Sequence, residues 1–108
     1  MIGISIRAEV EPELRRELMQ TCKMWLSDNL PAGCLERRAY EDAMAPTHLL
    51  LLEQWSEATA MHAYLSSEGF RALIGAVKVL GKLDDIRICE AKVVESGDST
   101  IKLEQWNR

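Results

Sequence analysis

The sequence predicts an α+β fold in which two β-α-β units build one antiparallel sheet. Three observations support this prediction: an alternating apolar segment opens the chain, a leucine run lies near its middle, and amphipathic helical patterns follow both. The chain has 108 residues, a length that suits a single domain. We assign residues 1–95 to this domain and residues 96–108 to a C-terminal extension.

The first β-α unit occupies the first thirty residues. Ile2–Val10 is a predicted strand because every second residue is apolar and the residues between are small or polar. Pro12 then suits the first turn of a helix. Apolar residues recur from there at helical spacing and predict a helix over about residues 12–29: Leu14, Leu18, Cys22, Trp25, Leu26 and Leu30.

Two further strands follow in the middle of the chain. Cys34–Glu41 is the predicted second strand, Asp42–Thr47 a loop and His48–Trp55 the third strand. Because side chains alternate along a strand, the run Leu49–Leu52 places leucines on both faces of the sheet. Helices cover one face, and in so short a chain a second subunit is the expected cover of the other. The sequence therefore predicts a homodimer through the sheet face.

The last third of the domain repeats the pattern. Ser56 is the predicted N-cap of a helix that ends near Leu65, and residues 66–69 form a break. A second helical stripe runs from Phe70 to about Gly81. Asp85–Val94 is the predicted fourth strand.

These elements occur in the order β-α-β-β-α-β, which is typical of a ferredoxin-like fold with helices on one face of an antiparallel sheet. In the extension, Thr100–Trp106 is predicted as a short edge strand.

Composition and charge exclude several classes of protein. The formal net charge is −4 and no Lys/Arg block occurs, which disfavours binding of nucleic acid through phosphate contacts. The longest apolar run, Leu49–Leu52, is too short to span a bilayer, and no secretory signal pattern opens the chain. The three cysteines lie far apart without a metal-binding spacing, as expected of reduced thiols. We therefore expect a cytoplasmic protein with no membrane or nucleic-acid partner.

Four short motifs carry a family resemblance. They are Pro12–Glu13, Gly33–Cys34–Leu35, Glu53–Gln54–Trp55 and the segment from Tyr64 to Phe70. In this order and spacing, over about residues 2–92, the chain resembles the antibiotic biosynthesis monooxygenase-like family of dimeric α+β barrels. The resemblance implies a sheet-to-sheet dimer that oxidises a small aromatic compound without a cofactor.

The resemblance also implies a set of site residues. Helical periodicity alone leaves open whether Tyr64 or His62 faces a pocket, and the resemblance selects Tyr64, with His62 as a fallback general base. Trp55 is a candidate pocket wall, and Arg7 and Arg87 are candidate anion stabilisers. Each residue also has a plainer interpretation: a half-buried tyrosine, an exposed histidine, a tryptophan that plugs the strand–helix junction.

Glu53 needs a partner because a carboxylate among leucines is costly to bury alone. Four strand-borne arginines are candidates: Arg7, Arg37, Arg38 and Arg87. A structural salt bridge is favoured over acid–base catalysis for this residue.

The functional hypothesis is a cofactor-independent monooxygenase acting on a phenol, quinol or anthrone-like compound. No metal-ligand spacing or phosphate-binding glycine loop occurs, so neither a metal nor another cofactor is predicted. Haem degradation is disfavoured because Ile6 and Ile74 stand near the positions of the residues that haem-degrading relatives use. The alternative is a non-catalytic dimeric ligand-binding or stress-associated barrel. A cleft with converging polar groups between helices and sheet favours the enzyme, and a closed one filled by Leu and Met favours the alternative.

Overall fold

The computed structural model describes residues 1–94, 96 and 97, and these form four strands and three α-helices. The strands are β1 (Ile2–Val10), β2 (Cys34–Asp42), β3 (Ala45–Trp55) and β4 (Gly81–Glu90). The helices are α1 (Arg15–Ser27), α2 (Ala58–Leu65) and α3 (Glu68–Leu80). The predicted order of elements is confirmed, with the second helical region divided into α2 and α3.

The four strands form one antiparallel sheet in the order β2-β3-β1-β4. This order, with the helices on one face, is the ferredoxin-like fold that the sequence predicts. The core lies between helices and sheet, where the inward residues of β1 meet the apolar stripe of α3. Ile4, Ile6 and Val77 are each no more than 1% exposed.

Several predicted boundaries are wrong by a few residues. A 3₁₀ turn, Pro12–Leu14, precedes α1, so the α-helix starts later than the proline. β3 begins at Ala45, and Pro46 is tolerated there because β3 pairs with β1 only from His48 onward. β4 begins at Gly81 and ends at Glu90, not Asp85–Val94, because pairing with β1 continues to Val10.

Ser56 is not the N-cap of α2. Glu57 occupies that position and its side chain makes no capping hydrogen bond. The Ser56 backbone N–H and hydroxyl instead donate to the Gly33 carbonyl, at 2.9 and 3.3 Å. Ser67 is the effective cap in this region: its hydroxyl accepts from the Phe70 N–H at the start of α3, at 3.2 Å.

Two irregularities in the sheet determine which side chains reach which face. β2 carries an extra residue at Leu35, between the pairs Cys34–Trp55 and Glu36–Gln54. β4 carries an extra residue at Asp84, between the partners of Arg7 and Ala8. Each of these β-bulges changes the alternation of the strand beyond it.

The face of the sheet opposite the helices carries two leucines of the run in β3. Leu50 and Leu52 lie on this open face and are partly exposed, whereas Leu49 and Leu51 on the helix side are buried. Tyr40, beside Leu50, is 51% exposed. The sheet-face homodimer stays a prediction.

The C-terminal predictions lie almost wholly outside the described residues. Thr100–Trp106 is beyond them, and only Ser96 and Gly97 of the extension are described. Among the described helices, none combines the length and the apolar character needed to cross a bilayer. The cytoplasmic location stays a prediction.

Candidate functional site

A cleft of about 480 Å³ opens between the helices and the β2 side of the sheet. One wall comes from the end of α1 and the loop that follows it, and the other from α2 and the first turn of α3. Trp25, Arg37 and Tyr64 border this cleft from three different elements. The polar and aromatic groups of these elements therefore converge at one place.

Arg37 reaches the helix side of the sheet because of the bulge at Leu35. Without that extra residue, alternation from the inward-facing Cys34 would turn Arg38 inward instead. The Arg37 side chain is only 6% exposed. Its Nε donates to Glu53 Oε2 at 2.9 Å, its Nη1 to the Trp25 carbonyl at 3.0 Å, and its Nη2 to the Tyr64 hydroxyl at 3.3 Å.

Glu53 is the buried counter-charge of this arginine. It lies directly opposite Arg37 in the β2–β3 register, and its side chain is 1% exposed. Burial raises the pKa of Glu53, and the Arg37 hydrogen bond and charge offset only part of that rise. Oε2 also accepts from the Cys34 thiol at 3.9 Å, while Oε1 has no hydrogen-bond partner in the structure.

Burial also raises the pKa of the Cys34 thiol, and the charge of Glu53 adds to the rise. Its deprotonated form is thereby disfavoured, so this cysteine is a poor nucleophile.

Burial raises the pKa of Arg37's neighbour Tyr64 as well, which keeps this phenol neutral at physiological pH. The Tyr64 hydroxyl accepts from Trp25 Nε1 at 3.4 Å and from Arg37 Nη2, and the nearby charge of Glu53 adds to the rise of its pKa. For Arg37, burial disfavours the charged guanidinium, but Glu53 outweighs this and raises its pKa. The Arg37 guanidinium is thus a stable cation that donates hydrogen bonds to the Glu53 carboxylate and to the Tyr64 phenol.

Aromatic rings surround the hydrogen-bonded group of Arg37, Glu53 and Tyr64. The Tyr64 ring lies 5.0 Å from the Trp55 ring and 5.3 Å from the Phe70 ring, between centroids. Arg37 Cζ lies 5.0 Å from the Trp25 ring centroid and 5.6 Å from that of Tyr64, within cation–π range. Exclusion of water strengthens every charge interaction here.

The family model for "Antibiotic biosynthesis monooxygenase" matches residues 1–76 of the chain. The chain belongs to this family. Arg37, Glu53 and Tyr64 all lie within the matched residues, so the cleft is part of the family domain. Membership supports a monooxygenase-like role for the chain.

Solved structures agree with this assignment. A conserved protein from Methanosarcina mazei Go1 is 25% identical, with a TM-score of 0.73 over 84% of this chain and 92% of that one. A candidate antibiotic biosynthesis monooxygenase from Deinococcus radiodurans is 25% identical, with a TM-score of 0.70 over 89% of this chain and 97% of that one.

A protein of unknown function from Bacteroides thetaiotaomicron VPI-5482, 18% identical with a TM-score of 0.74, shares the fold over 83% of this chain and 96% of its own. No curated protein sequence matches the chain.

The sequence-predicted site residues of this family member are divided between two faces of the sheet. Tyr64 borders the cleft, and Trp55 lies directly behind it with 0% exposure. His62 is exposed on α2 and does not line the cleft. Arg7 and Arg87 lie on the open face, where both approach Asp85, at 3.8 and 3.1 Å. The structure therefore brings Tyr64 and Trp55 together and leaves the other three elsewhere.

Sequence reasoning gave Arg37 only as one of four partners for Glu53, and it assigned Trp25 to the core. No local signal in the sequence distinguishes Arg37 from Arg38, since Cys34 and Arg37 both face inward only because β2 contains the bulge at Leu35. For Trp25, the helical stripe correctly predicts burial, but not that its Nε1 hydrogen-bonds Tyr64.

Proposed function

We propose that this member of the antibiotic biosynthesis monooxygenase family oxidises a small electron-rich aromatic compound in the helix–sheet cleft without a bound cofactor. The observation that carries the proposal is the buried Arg37–Glu53–Tyr64 network at the border of an open, largely apolar cleft. A volume of about 480 Å³ suits a small molecule of this class.

The proposed reaction needs no external reductant. A phenol whose ring C–H becomes a C=O gains one oxygen atom from O2, and the other oxygen atom leaves as water with the two hydrogens lost by the substrate. The substrate supplies all four electrons. The protein's contribution is to bind the ring, stabilise its deprotonated form and exclude water.

Arg37 and Glu53 suit the proton transfer that begins this reaction. Three of the five guanidinium N–H groups of Arg37 are used within the protein, which leaves two for a phenolate oxygen in the cleft. The phenol proton passes to the Tyr64 hydroxyl as that hydroxyl gives its own proton to Glu53. Arg37 then keeps one anionic partner throughout, first the carboxylate and then the phenolate.

The raised pKa of Glu53 makes this carboxylate a better proton acceptor than an exposed one. In this proposal Tyr64 is the catalytic residue that touches substrate, and Trp55 is a positioning residue that packs against its ring. His62, Arg7 and Arg87 have no contact with the substrate.

A second candidate function is binding without catalysis. It is favoured by one observation: Glu53 already balances the charge of Arg37, so the pair is complete as a structural salt bridge. Converging polar groups in an open cleft favour the enzyme over this rival.

We further propose that two copies associate through the open face, where Leu50, Leu52 and Tyr40 lie. Covering this partly apolar surface removes it from water. The dimer leaves the cleft accessible because the cleft lies on the helix side.

Oxygen uptake across a panel of phenols, quinols and anthrones tests the proposed activity. We expect uptake with at least one member, and a loss of about 100-fold in kcat for Tyr64→Phe, since positioned proton transfer contributes factors of this order. Tyr40→Phe on the open face is the matched control and keeps the parental rate. Tight binding of an aromatic with no oxygen uptake would establish the non-catalytic rival instead.

A further inference from the structure

Three potential metal ligands from three strands meet on the open face of the sheet, away from the cleft. They are Glu9 on β1, His48 on β3 and Asp84 on β4, and their ligand atoms all lie within 4.8 Å of one another. His48 Nε2 and Glu9 Oε1 are 3.0 Å apart. The proposed oxidation on the helix side does not use any of these residues.

Strand register brings the three side chains together. Glu9 and His48 are direct partners across the β1–β3 ladder, so their side chains point to the same face. Asp84 is the extra residue of the β4 bulge, between Leu83, which pairs with Ala8, and Asp85, which pairs with Arg7. Bulges re-aim side chains, and this one directs the Asp84 carboxylate toward the Glu9–His48 pair.

We propose that Glu9, His48 and Asp84 form a binding site for a divalent transition metal ion such as Zn²⁺ or Co²⁺. One imidazole and two carboxylates are a donor set that such ions accept, whereas Mg²⁺ and Ca²⁺ prefer oxygen ligands alone. Ligand bonds of 2.0–2.2 Å separate tetrahedral donor atoms by about 3.3–3.6 Å. Glu9 and His48, at 3.0 Å, lie a few tenths of an ångström inside that separation, and all three ligand atoms lie within 4.8 Å of one another.

The surroundings of the three ligands suit a bound cation. A depression of about 290 Å³ is lined by two of the three ligands, His48 and Asp84, and includes Asp42, which adds a carboxylate. Two nearby cations are engaged elsewhere, since Arg7 and Arg87 both approach Asp85. Lys82 is the cross-strand partner of Glu9 and competes with the ion for that carboxylate, which favours a moderate affinity.

Titration of the full-length protein with Co²⁺, followed by visible absorption and calorimetry, tests this site. Visible d–d bands report imidazole and carboxylate coordination, and Zn²⁺ should displace them. We expect His48→Ala and Asp84→Asn each to weaken binding by at least about tenfold, as loss of groups that hold a metal commonly does.

Two control variants make the titration specific. His62→Ala removes the second of the two histidines in the chain and should leave the affinity unchanged. Cys89→Ser removes an exposed thiol that binds the same metals and should also leave it unchanged.

Equal affinity in the parent and His48→Ala, loss of binding only in Cys89→Ser, or no binding at all would each overturn the proposal. Retained metal binding in a Tyr64→Phe variant without oxygenase activity separates this site from the proposed reaction.

Discussion

Arg37 and Glu53 form a charge pair that is almost fully removed from water, with side-chain exposures of 6% and 1%. Removing two charges from water costs several kcal/mol for each ion, and good geometry recovers that cost only as long as both partners are present. The pair also carries the hydrogen bonds to Trp25 and Tyr64. Burial of either charge is therefore tolerated only while the other charge is present.

Arg37→Met should lower the free energy of unfolding by roughly 3–5 kcal/mol at neutral pH, because it leaves Glu53 buried without a counter-charge. Adding Glu53→Leu to that variant should recover most of the loss. Urea unfolding of the parent and both variants measures this. The exposed Arg38 is the matched control, and Arg38→Met should change stability little. A double variant less stable than the single one would contradict the interdependence.

Glu53 gives stability a specific dependence on pH. Its pKa is raised above the ordinary value of 4.5 in the folded protein, so the folded state binds this proton more tightly than the unfolded state. Its contribution to stability is therefore full below pH 4.5 and is lost as pH rises through the folded-state pKa.

The unfolding free energy of the parent minus that of Glu53→Gln should accordingly fall as pH rises from below 4.5 toward neutrality. Denaturant titrations of the two proteins over this range measure the difference. A difference that increases with pH would mean that the charged carboxylate is the form favoured by folding.

The salt-bridge partner of Glu53 shows how far sequence alone predicts the contacts of a single residue. The run of leucines around Glu53 was sufficient to predict that it is buried and needs an arginine. Choosing among four arginines requires the strand register, and one bulge residue, Leu35, reverses which of Arg37 and Arg38 faces inward. Local sequence does not specify such a bulge, so the residue at the border of the cleft could not be chosen.

Among the connecting elements, the turn from α1 to β2 contains the one positive-φ residue of the described chain. Gly33 has φ +89°, and a Cβ there would lie 2.7 Å from the Ala60 Cβ on α2. The same residue accepts hydrogen bonds from Ser56. Gly33 therefore fixes the distance between this turn and α2, which form two sides of the cleft.

Gly33→Ala should cost about 1–2 kcal/mol of stability from its backbone conformation alone, with the contact to Ala60 adding to that cost. Gly75→Ala is the opposite case, since Gly75 lies within α3 and a Cβ there meets nothing within 4 Å. It should stabilise the protein by about 0.5–1 kcal/mol. Thermal and urea unfolding of the two variants measure both changes in stability. If both variants were stabilised, or both destabilised, the role assigned to Gly33 would be contradicted.

A strand or helix could be predicted where its own residues carry the apolar pattern that is typical of that element. β1 and α3 follow from apolar alternation and from a helical stripe, and both lie where those patterns predict. The start of β4 at Gly81 was not predictable, because pairing with Val10 of a distant strand extends it through a segment with no strand pattern of its own.

For the whole molecule, the open sheet face is the surface that a second copy would cover. Its Leu50 and Leu52 lie on β3, which is a central strand paired with β2 on one side and β1 on the other. The sequence predicted this from leucines on both faces of β3, and a single chain leaves those two partly exposed.

Sedimentation velocity at micromolar concentration should give the mass of a dimer, and Leu50→Glu with Leu52→Glu should convert it to a monomer that stays folded. Val79→Glu on the outer side of α3, where the residue is 79% exposed, is the matched control and should remain dimeric. A parental protein that sediments as a monomer would exclude the sheet-face dimer.

The central claim is that the Arg37–Tyr64 cleft transfers one oxygen atom of O2 to an aromatic substrate, and isotope labelling tests it most directly. Turnover under ¹⁸O2 should give a product with one labelled oxygen and labelled water, with the labelled product nearly lost in Tyr64→Phe and retained in Tyr40→Phe. A product whose new oxygen comes from solvent water, or labelling that is unchanged in Tyr64→Phe, would contradict it.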